Sequence, residues 1–425
     1  MLGLYIFLSN RGPVLSKGVQ PHTGASKNGA TGTPGTPGTP SSTSGGNWWR
    51  TSGTKILDAS GQTVFLRGAD DGQMATQGWT SSSVPNVAEM KNLSAWRFSF
   101  LRLAISWANL EPTIPTGSPS ALTHTWNQTY LSELDGVVKL AQQNNIRIVL
   151  DMHQAGGWSP KFGGEGLPGW LYPQQVSCTA QAACTNTNAG PCEFLTNTAE
   201  AGVPIQPQQG LIAAWKMVTS RYQSDATVVG VDLFNEPQSC TKAGQPRTYH
   251  LPTASDNPLD AFYRLAGLAV QSVNPHLLLI YEDDAYESYL RVGSALTGRL
   301  DLPNAVYSTH YYPDSWGQGN LPGSCKPLPS PSGQATMMAY QQRAAQFDQP
   351  LYIGEFDGFR LTREGKKCRL LQSVSGASND LLSLMTYAKD NAISWSLWRY
   401  DGGQSMVDSA GKARQPLIGD LQTGL

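Results

Sequence analysis

The stretches VVGVDLFNEP (228–237) and QPLYIGEFDG (349–358) decide the fold. Each is a run of mostly apolar, β-prone residues that stops at a glutamate, Glu236 in one and Glu355 in the other. A parallel strand buried on both faces reads as a near-continuous apolar run. A carboxylate at its C-terminal end packs poorly and serves chemistry well. One such glutamate is commonly no more than a solvated or salt-bridged group. Two of them suit the C-terminal face of a closed α/β barrel, where active sites are built. Carboxyls meeting there can divide the work of glycoside hydrolysis, one as proton donor and the other as nucleophile or base.

Outward from these two stretches, strand-like and helix-like runs alternate, the signature of βα units. The strands are VFLRG (64–68), SFLRLAI (99–105), RIVLDMH (147–153), VVGVDLFN (228–235), LLLIYE (277–282), AVYSTHY (305–311), LYIGEF (351–356) and ISWSLW (393–398). Amphipathic helical patterns lie between them, among them 129–145, 211–223 and 259–273, the last preceded by a helix start at Asp256-Asn257-Pro258. DASGQT (58–63) reads as the turn of a small ribbon closing the barrel's base. The fold class is therefore α/β, a (β/α)₈ barrel with long loops after the third, fourth and sixth strands. A doubly wound open sheet is disfavoured, because polar residues end nearly every strand and not only those at one switch point.

Three regions are expected: a weak or truncated secretion signal over 1–17, a Gly/Thr/Pro/Ser-rich linker over 18–46 and a catalytic domain over 47–425. The segment GTPGTPGTPSSTSGG (32–46) has nothing to bury. Such linkers join secreted catalytic domains to carbohydrate-binding modules, and only about thirty residues precede this one, so any such module is expected to have been lost or to lie outside this chain. Net charge is −1 with 14% charged residues, which gives no basic stripe for nucleic acid. No segment suits a membrane span. The six cysteines, Cys178, Cys184, Cys192, Cys240, Cys325 and Cys368, form no Cys-x-x-Cys pair and have no clustered histidines beside them. A zinc site is therefore not expected. Disulfides in an oxidising, extracellular setting are, with buried thiols as the alternative. Adjacency around the barrel rim predicts one bridge within the third loop, one from it to Cys240, and one between Cys325 and Cys368. The 12 tryptophans and 16 tyrosines pack the core and supply flat rings for stacking on sugars.

Reading the strand ends in order gives Arg102, His153, Asn235-Glu236, Glu282, His310 with Tyr312, Glu355 and Trp398. With LRLAISW, LDMHQ, DLFNEPQ, THYYP, IGEF and SLWRYD in this order, the chain resembles glycoside hydrolase family 5, a family of (β/α)₈ retaining glycosidases. The resemblance runs from residue 64 to about 424. It implies Glu236 as general acid/base and Glu355 as nucleophile. Arg102 and Tyr312 would hold Glu355 ionised, and Asn235 would donate to a sugar 2-hydroxyl. His153 and His310 would orient hydroxyls or tune the glutamates, and Trp398 would be the stacking platform. Glu282, with Asp283 and Asp284, reads either as a sugar contact or as solvated loop charge. Gly163-Gly164-Glu165-Gly166 reads as a turn.

The substrate is expected to be a β-linked oligo- or polysaccharide, the enzyme a monomer without cofactor or metal. The linker favours an endo-β-1,4-glucanase. WANLEP (107–112) and FGGEGLPGW (162–170) resemble the endoglycoceramidase-like branch of the family, whose members carry a β-sandwich after the barrel, whereas here the eighth strand lies close to Leu425. A glycolipid hydrolase and a β-mannanase are therefore alternatives. A non-catalytic carbohydrate-binding barrel is countered by the presence of both glutamates, Asn235 and Arg102. A metal-dependent hydrolase lacks a ligand cluster such as His-x-His.

Overall fold

The computed structural model of the chain describes residues 47–177, 189–238, 258–285, 294, 296–311, 333–356, 359–364, 367–372, 379–400, 406–415 and 417–425. An antiparallel ribbon opens it: β1 (Arg50–Ser52), β2 (Lys55–Leu57) and β3 (Thr63–Val64). Asp58 makes the turn, its side chain accepting from the backbone N–H groups of Ser60 and Gln62. Eight parallel strands then close a barrel in sequence order: β4 (Arg67–Asp71), β5 (Phe100–Ile105), β8 (Arg147–Met152), β9 (Val228–Asp232), β10 (Leu278–Glu282), β11 (Ala305–Tyr311), β12 (Leu351–Phe356) and β15 (Ser394–Leu397). Between them stand the hairpins β6 (Thr116–Ser118) with β7 (Ala121–Thr123), and β13 (Phe359–Glu364) with β14 (Lys367–Gln372). Neither hairpin is foreshadowed by the strand pattern in the sequence.

Helices α1 (Val87–Ala95), α3 (Gln128–Gln143), α5 (Pro207–Arg221), α6 (Pro258–Val273), α7 (Gly333–Gln346) and α8 (Asn379–Asp390) separate successive barrel strands, with short α2 (Trp107–Leu110), α4 (Ala189–Leu195) and α9 (Leu417–Thr423) added. In α3, Asn127 caps the start by accepting from the Tyr130 N–H, and Tyr130, Leu131, Leu134, Val137, Val138 and Ala141 form its buried stripe. Pro258 opens α6, where a missing N–H costs nothing. No helix among the described residues is long and apolar enough to cross a membrane.

Inside the barrel, side chains alternate with the pleat, so residues two apart share a face. The lower interior is apolar, built from Phe100, Val149, Leu278, Ile280, Val306 and Tyr352, and sealed from below by Trp49, Ile56 and Leu66. Two residues further along the same strands the interior becomes charged, with Arg102 after Phe100, Asp151 after Val149 and Glu282 after Ile280, all 0% exposed. The first barrel strand departs from the expected 64–68. Thr63–Val64 pairs with β2, and the barrel strand is RGADD, whose two aspartates face polar partners and carry no apolar signal. The fourth strand also ends sooner than expected, at Asp232.

Gly68 permits the closest approach of neighbouring strands, since a Cβ there would lie 1.9 Å from the Phe100 carbonyl oxygen. Gly68→Ala should therefore lower stability by about 1–3 kcal/mol, read as a shift of the urea midpoint with the activity of the remaining folded protein retained.

Candidate active site

The charged layer converges on one guanidinium. Arg102 reaches Glu355 at 2.8 Å, Glu282 at 2.9 Å, Asp232 at 3.0 Å, Asp151 at 3.2 Å and Asp70 at 3.5 Å. It also donates to the Asn235 side-chain oxygen at 2.9 Å. A carboxylate this deeply buried needs a partner or a proton. Burial drives Asp70 and Asp232 well above the usual carboxylate range, against the pull of Arg102. Burial alone would also raise Glu282, but the charges of His310 and Arg102 outweigh it and hold that group at about 2.

Glu236 stands four residues past the end of β9, and backbone bonds to the neighbouring strands fix it. Leu233 donates to Ile280, Asn235 donates to Met152, and the Glu236 N–H donates to Glu282 Oε2 at 2.8 Å. The Gln154 amide donates to the Asn235 carbonyl. This path holds Glu236 at a φ of +39°, a costly conformation for a residue with a Cβ and one that tertiary contacts must enforce. Its carboxyl accepts from His310 Nδ1 at 3.0 Å. Burial raises its pKa, His310 opposes that and Glu355 adds to it. One oxygen of Glu236, one of Glu355 and a nitrogen of His310 lie within 4.8 Å of one another.

These three groups are close enough to hold a metal, and both ring nitrogens of His310 face carboxylates. Its Nδ1 faces Glu236 and its Nε2 lies 3.0 Å from Glu282. Burial would favour the neutral ring, yet the charges of Glu282 and Glu355 prevail and raise its pKa well above normal. Gly354 makes room for the ring, because a Cβ there would come 2.7 Å from Nε2.

Across the cleft, His153 stacks on the half-buried Trp398 with centroids 5.2 Å apart and planes 7° from parallel. Its Nδ1 pairs with Asp151 at 2.8 Å. Burial lowers the His153 pKa, and the charge and hydrogen bond of Asp151 overcome this and lift it to about 9.

The structure thus brings together Arg102, His153, Asn235, Glu236, Glu282, His310, Glu355 and Trp398. Tyr312, Cys178, Cys184, Cys240 and Cys325 lie outside the described residues; Cys368 lies on β14 and Cys192 on α4. One expectation is corrected. Glu282 is not solvated loop charge but 0% exposed at the heart of the network, as are Asp283 at 0% and Asp284 at 2%. The sequence reading missed Asp70, Asp151 and Asp232, although acids at inward positions of apolar strands were the available signal. It also missed Glu165. The turn around it forms as expected, with Ala155 and Glu165 bridged, but its carboxyl accepts from the Gln77 N–H beside His153 and Arg399. A loop glutamate carries no periodic signal.

A closed parallel barrel with two buried, facing glutamates at its strand ends defines a glycosyl hydrolase of the barrel type. The chain belongs to the cellulase family, glycosyl hydrolase family 5, whose sequence profile matches residues 57–404. It is 25% identical over 363 residues to an endoglucanase of Paenibacillus polymyxa, covering 78% of this chain and 77% of the relative. It is 22% identical over 395 residues to endoglycoceramidase I of Rhodococcus hoagii (strain 103S), covering 88% of this chain and 70% of the relative. The crystal structure of an endogalactoceramidase shares the fold, with a TM-score of 0.67 at 21% identity over 89% of this chain and 84% of that one.

The His153–Asp151 pair generates a pH prediction. Because the folded-state pKa of His153 is raised, the pair's stabilisation is complete below the unfolded value near 6.5 and is lost as pH rises through about 9. The stability deficit of Asp151→Asn should be largest near pH 6, where this pair accounts for on the order of 3 kcal/mol of it. Urea titrations at pH 6, 7.5 and 9.5 should show the deficit shrinking; a deficit independent of pH would contradict the pairing.

Proposed function

We propose that the protein is a retaining endo-β-1,4-glucanase working by double displacement. The spacing of the two glutamates carries this reading. Their nearest oxygens lie within 4.8 Å, which suits the roughly 5–5.5 Å of retaining pairs and leaves no room for the water that separates inverting carboxyls by about 6.5–9.5 Å. Glu355, held by Arg102 at 2.8 Å, attacks the anomeric carbon as a carboxylate. The bond from that carbon to the leaving oxygen breaks as Glu236 protonates the oxygen. Water then displaces Glu355 from the glycosyl-enzyme while Glu236, now ionised, takes the water's proton. Trp398 offers a ring for the sugar to stack on, and Asn235 stands where a 2-hydroxyl would pass.

The relationship to the Paenibacillus endoglucanase supports a glucan substrate. A second reading, a glycolipid hydrolase, draws support from the endoglycoceramidase match over 88% of the chain and from the loop carrying Glu165 beside His153. Secretion as a monomer with disulfides completes the proposal. The six cysteines and the lack of a free thiol among the described residues support the disulfides. The expected pairings are those set by loop adjacency.

Proton NMR of the first product from a β-glucan should show the β anomer; an initial α anomer would overturn the retaining assignment. Reducing-sugar release across glucan, mannan, xylan and glycolipid substrates should be greatest on β-1,4-glucan.

Glu355→Gln should abolish turnover with the fold intact. Glu236→Gln should lose on the order of 10²–10⁴-fold on natural glycans and much less in the first step with substrates whose leaving groups need no proton. Equal losses on both substrate types would remove Glu236 from the acid/base role.

A further inference from the structure

Glu282 is a buried group that touches both Glu236 and His310, and the double displacement written above gives it no role. Its Oε2 accepts from the Glu236 backbone N–H at 2.8 Å, and its Oε1 lies 3.0 Å from His310 Nε2 and 2.9 Å from Arg102 Nη2. It is 0% exposed, so it is not placed to meet a sugar. We propose that Glu282 is a positioning residue that decides which oxygen of Glu236 carries the catalytic proton. The inference rests on the acid/base role of Glu236 given above.

The argument is one of donors and acceptors. His310 has a carboxyl at each ring nitrogen, Glu236 Oε1 at Nδ1 and Glu282 Oε1 at Nε2, both at 3.0 Å, with Glu355 Oε2 at 3.6 Å from Nδ1. Were His310 neutral with its proton on Nε2, Nδ1 would present a lone pair, and the Glu236 proton would be spent on it. An anionic Glu282 at Nε2 favours the doubly protonated ring. Nδ1 then donates to Glu236 Oε1, and the Glu236 proton is confined to Oε2. The same carboxylate anchors the backbone of Glu236 at its unfavourable φ of +39°. The other groups facing Glu282 reinforce its charge. Arg102 is a permanent cation, and Asp232, its pKa raised by burial, bonds to Glu282 through its side chain. On the outer side the Glu282 N–H donates to the Tyr263 hydroxyl and its carbonyl accepts from it, which fixes the strand end.

Glu282→Gln keeps the shape and removes the charge. Arg102 selects the amide oxygen, which turns the amide NH₂ toward the Glu236 N–H, donor against donor, and leaves His310 with a neutral acceptor. The expected kinetic signature is a split by leaving group. On cellotetraose kcat/KM should fall on the order of 10²-fold; on 2,4-dinitrophenyl β-cellobioside, which needs no protonation, it should fall less than about fivefold. Equal losses on the two probes, or a rise in KM alone, would overturn the proposal, the former pointing to Arg102 or the fold and the latter to a sugar contact. A second measurement uses the unaltered full chain and needs no substrate. Nitrogen-15 NMR, with His310 assigned through His310→Asn, should find both ring nitrogens protonated at pH 7 and still so at pH 8. A neutral His310 at pH 7 would overturn the proposal even if Glu282→Gln failed to fold. Wild-type protein inactive on both probes would sink the glucanase reading alone and leave the histidine result to decide this one.

Discussion

The guanidinium of Arg102 holds five buried carboxyls within 3.5 Å at the top of a barrel whose lower interior is hydrocarbon. Removing charges from water costs several kcal/mol per ion, so such a cluster survives only if each group finds a counter-charge, a hydrogen bond or a proton. Here all three occur. Asp70 and Asp232 are driven toward the neutral form. The other carboxyls of the cluster face Arg102, His153 and His310. Breaking one member of such a set leaves an uncompensated charge and costs far more than the intact pair is worth.

The cluster also joins the barrel. Asp70, Arg102, Asp151, Asp232, Glu282, His310 and Glu355 come from β4, β5, β8, β9, β10, β11 and β12, and Ser396 on β15 donates to Asp70 at 3.2 Å. Side chains from all eight barrel strands therefore meet in one polar layer. Geometry over-determined in this way suits electrostatic catalysis, in which charges must stand in place before the reaction begins. It also explains how Glu236 is held off the regular strand path at a positive φ. Its own segment could not keep it there, but neighbouring strands and the Glu282 carboxylate can.

Much of this was legible in the sequence. Near-continuous apolar runs of strand length identified seven of the eight barrel strands, because a parallel strand buried on both faces against apolar neighbours leaves that pattern. The terminal glutamates Glu236 and Glu355, with Arg102, Asn235, both histidines and Trp398, stood out because polar groups at the ends of apolar runs have no packing reason to be there. The first barrel strand escaped because RGADD is buried among polar partners, so burial left no apolar mark. Only the tertiary structure decided which charges meet. Asp70, Asp151 and Asp232 lie tens to more than a hundred residues from Arg102, and an inward position on a strand marks such an acid as buried without saying which charge it meets. Glu282 illustrates the limit most plainly. In sequence it is the first of three acids at a strand's end, a pattern that solvated loops share; in the fold its strand is flanked by β9 and β11, and that adjacency sets it between Glu236, His310 and Arg102. Composition and periodicity report how much of a strand is buried, whereas pairing around a closed barrel determines what each buried charge touches.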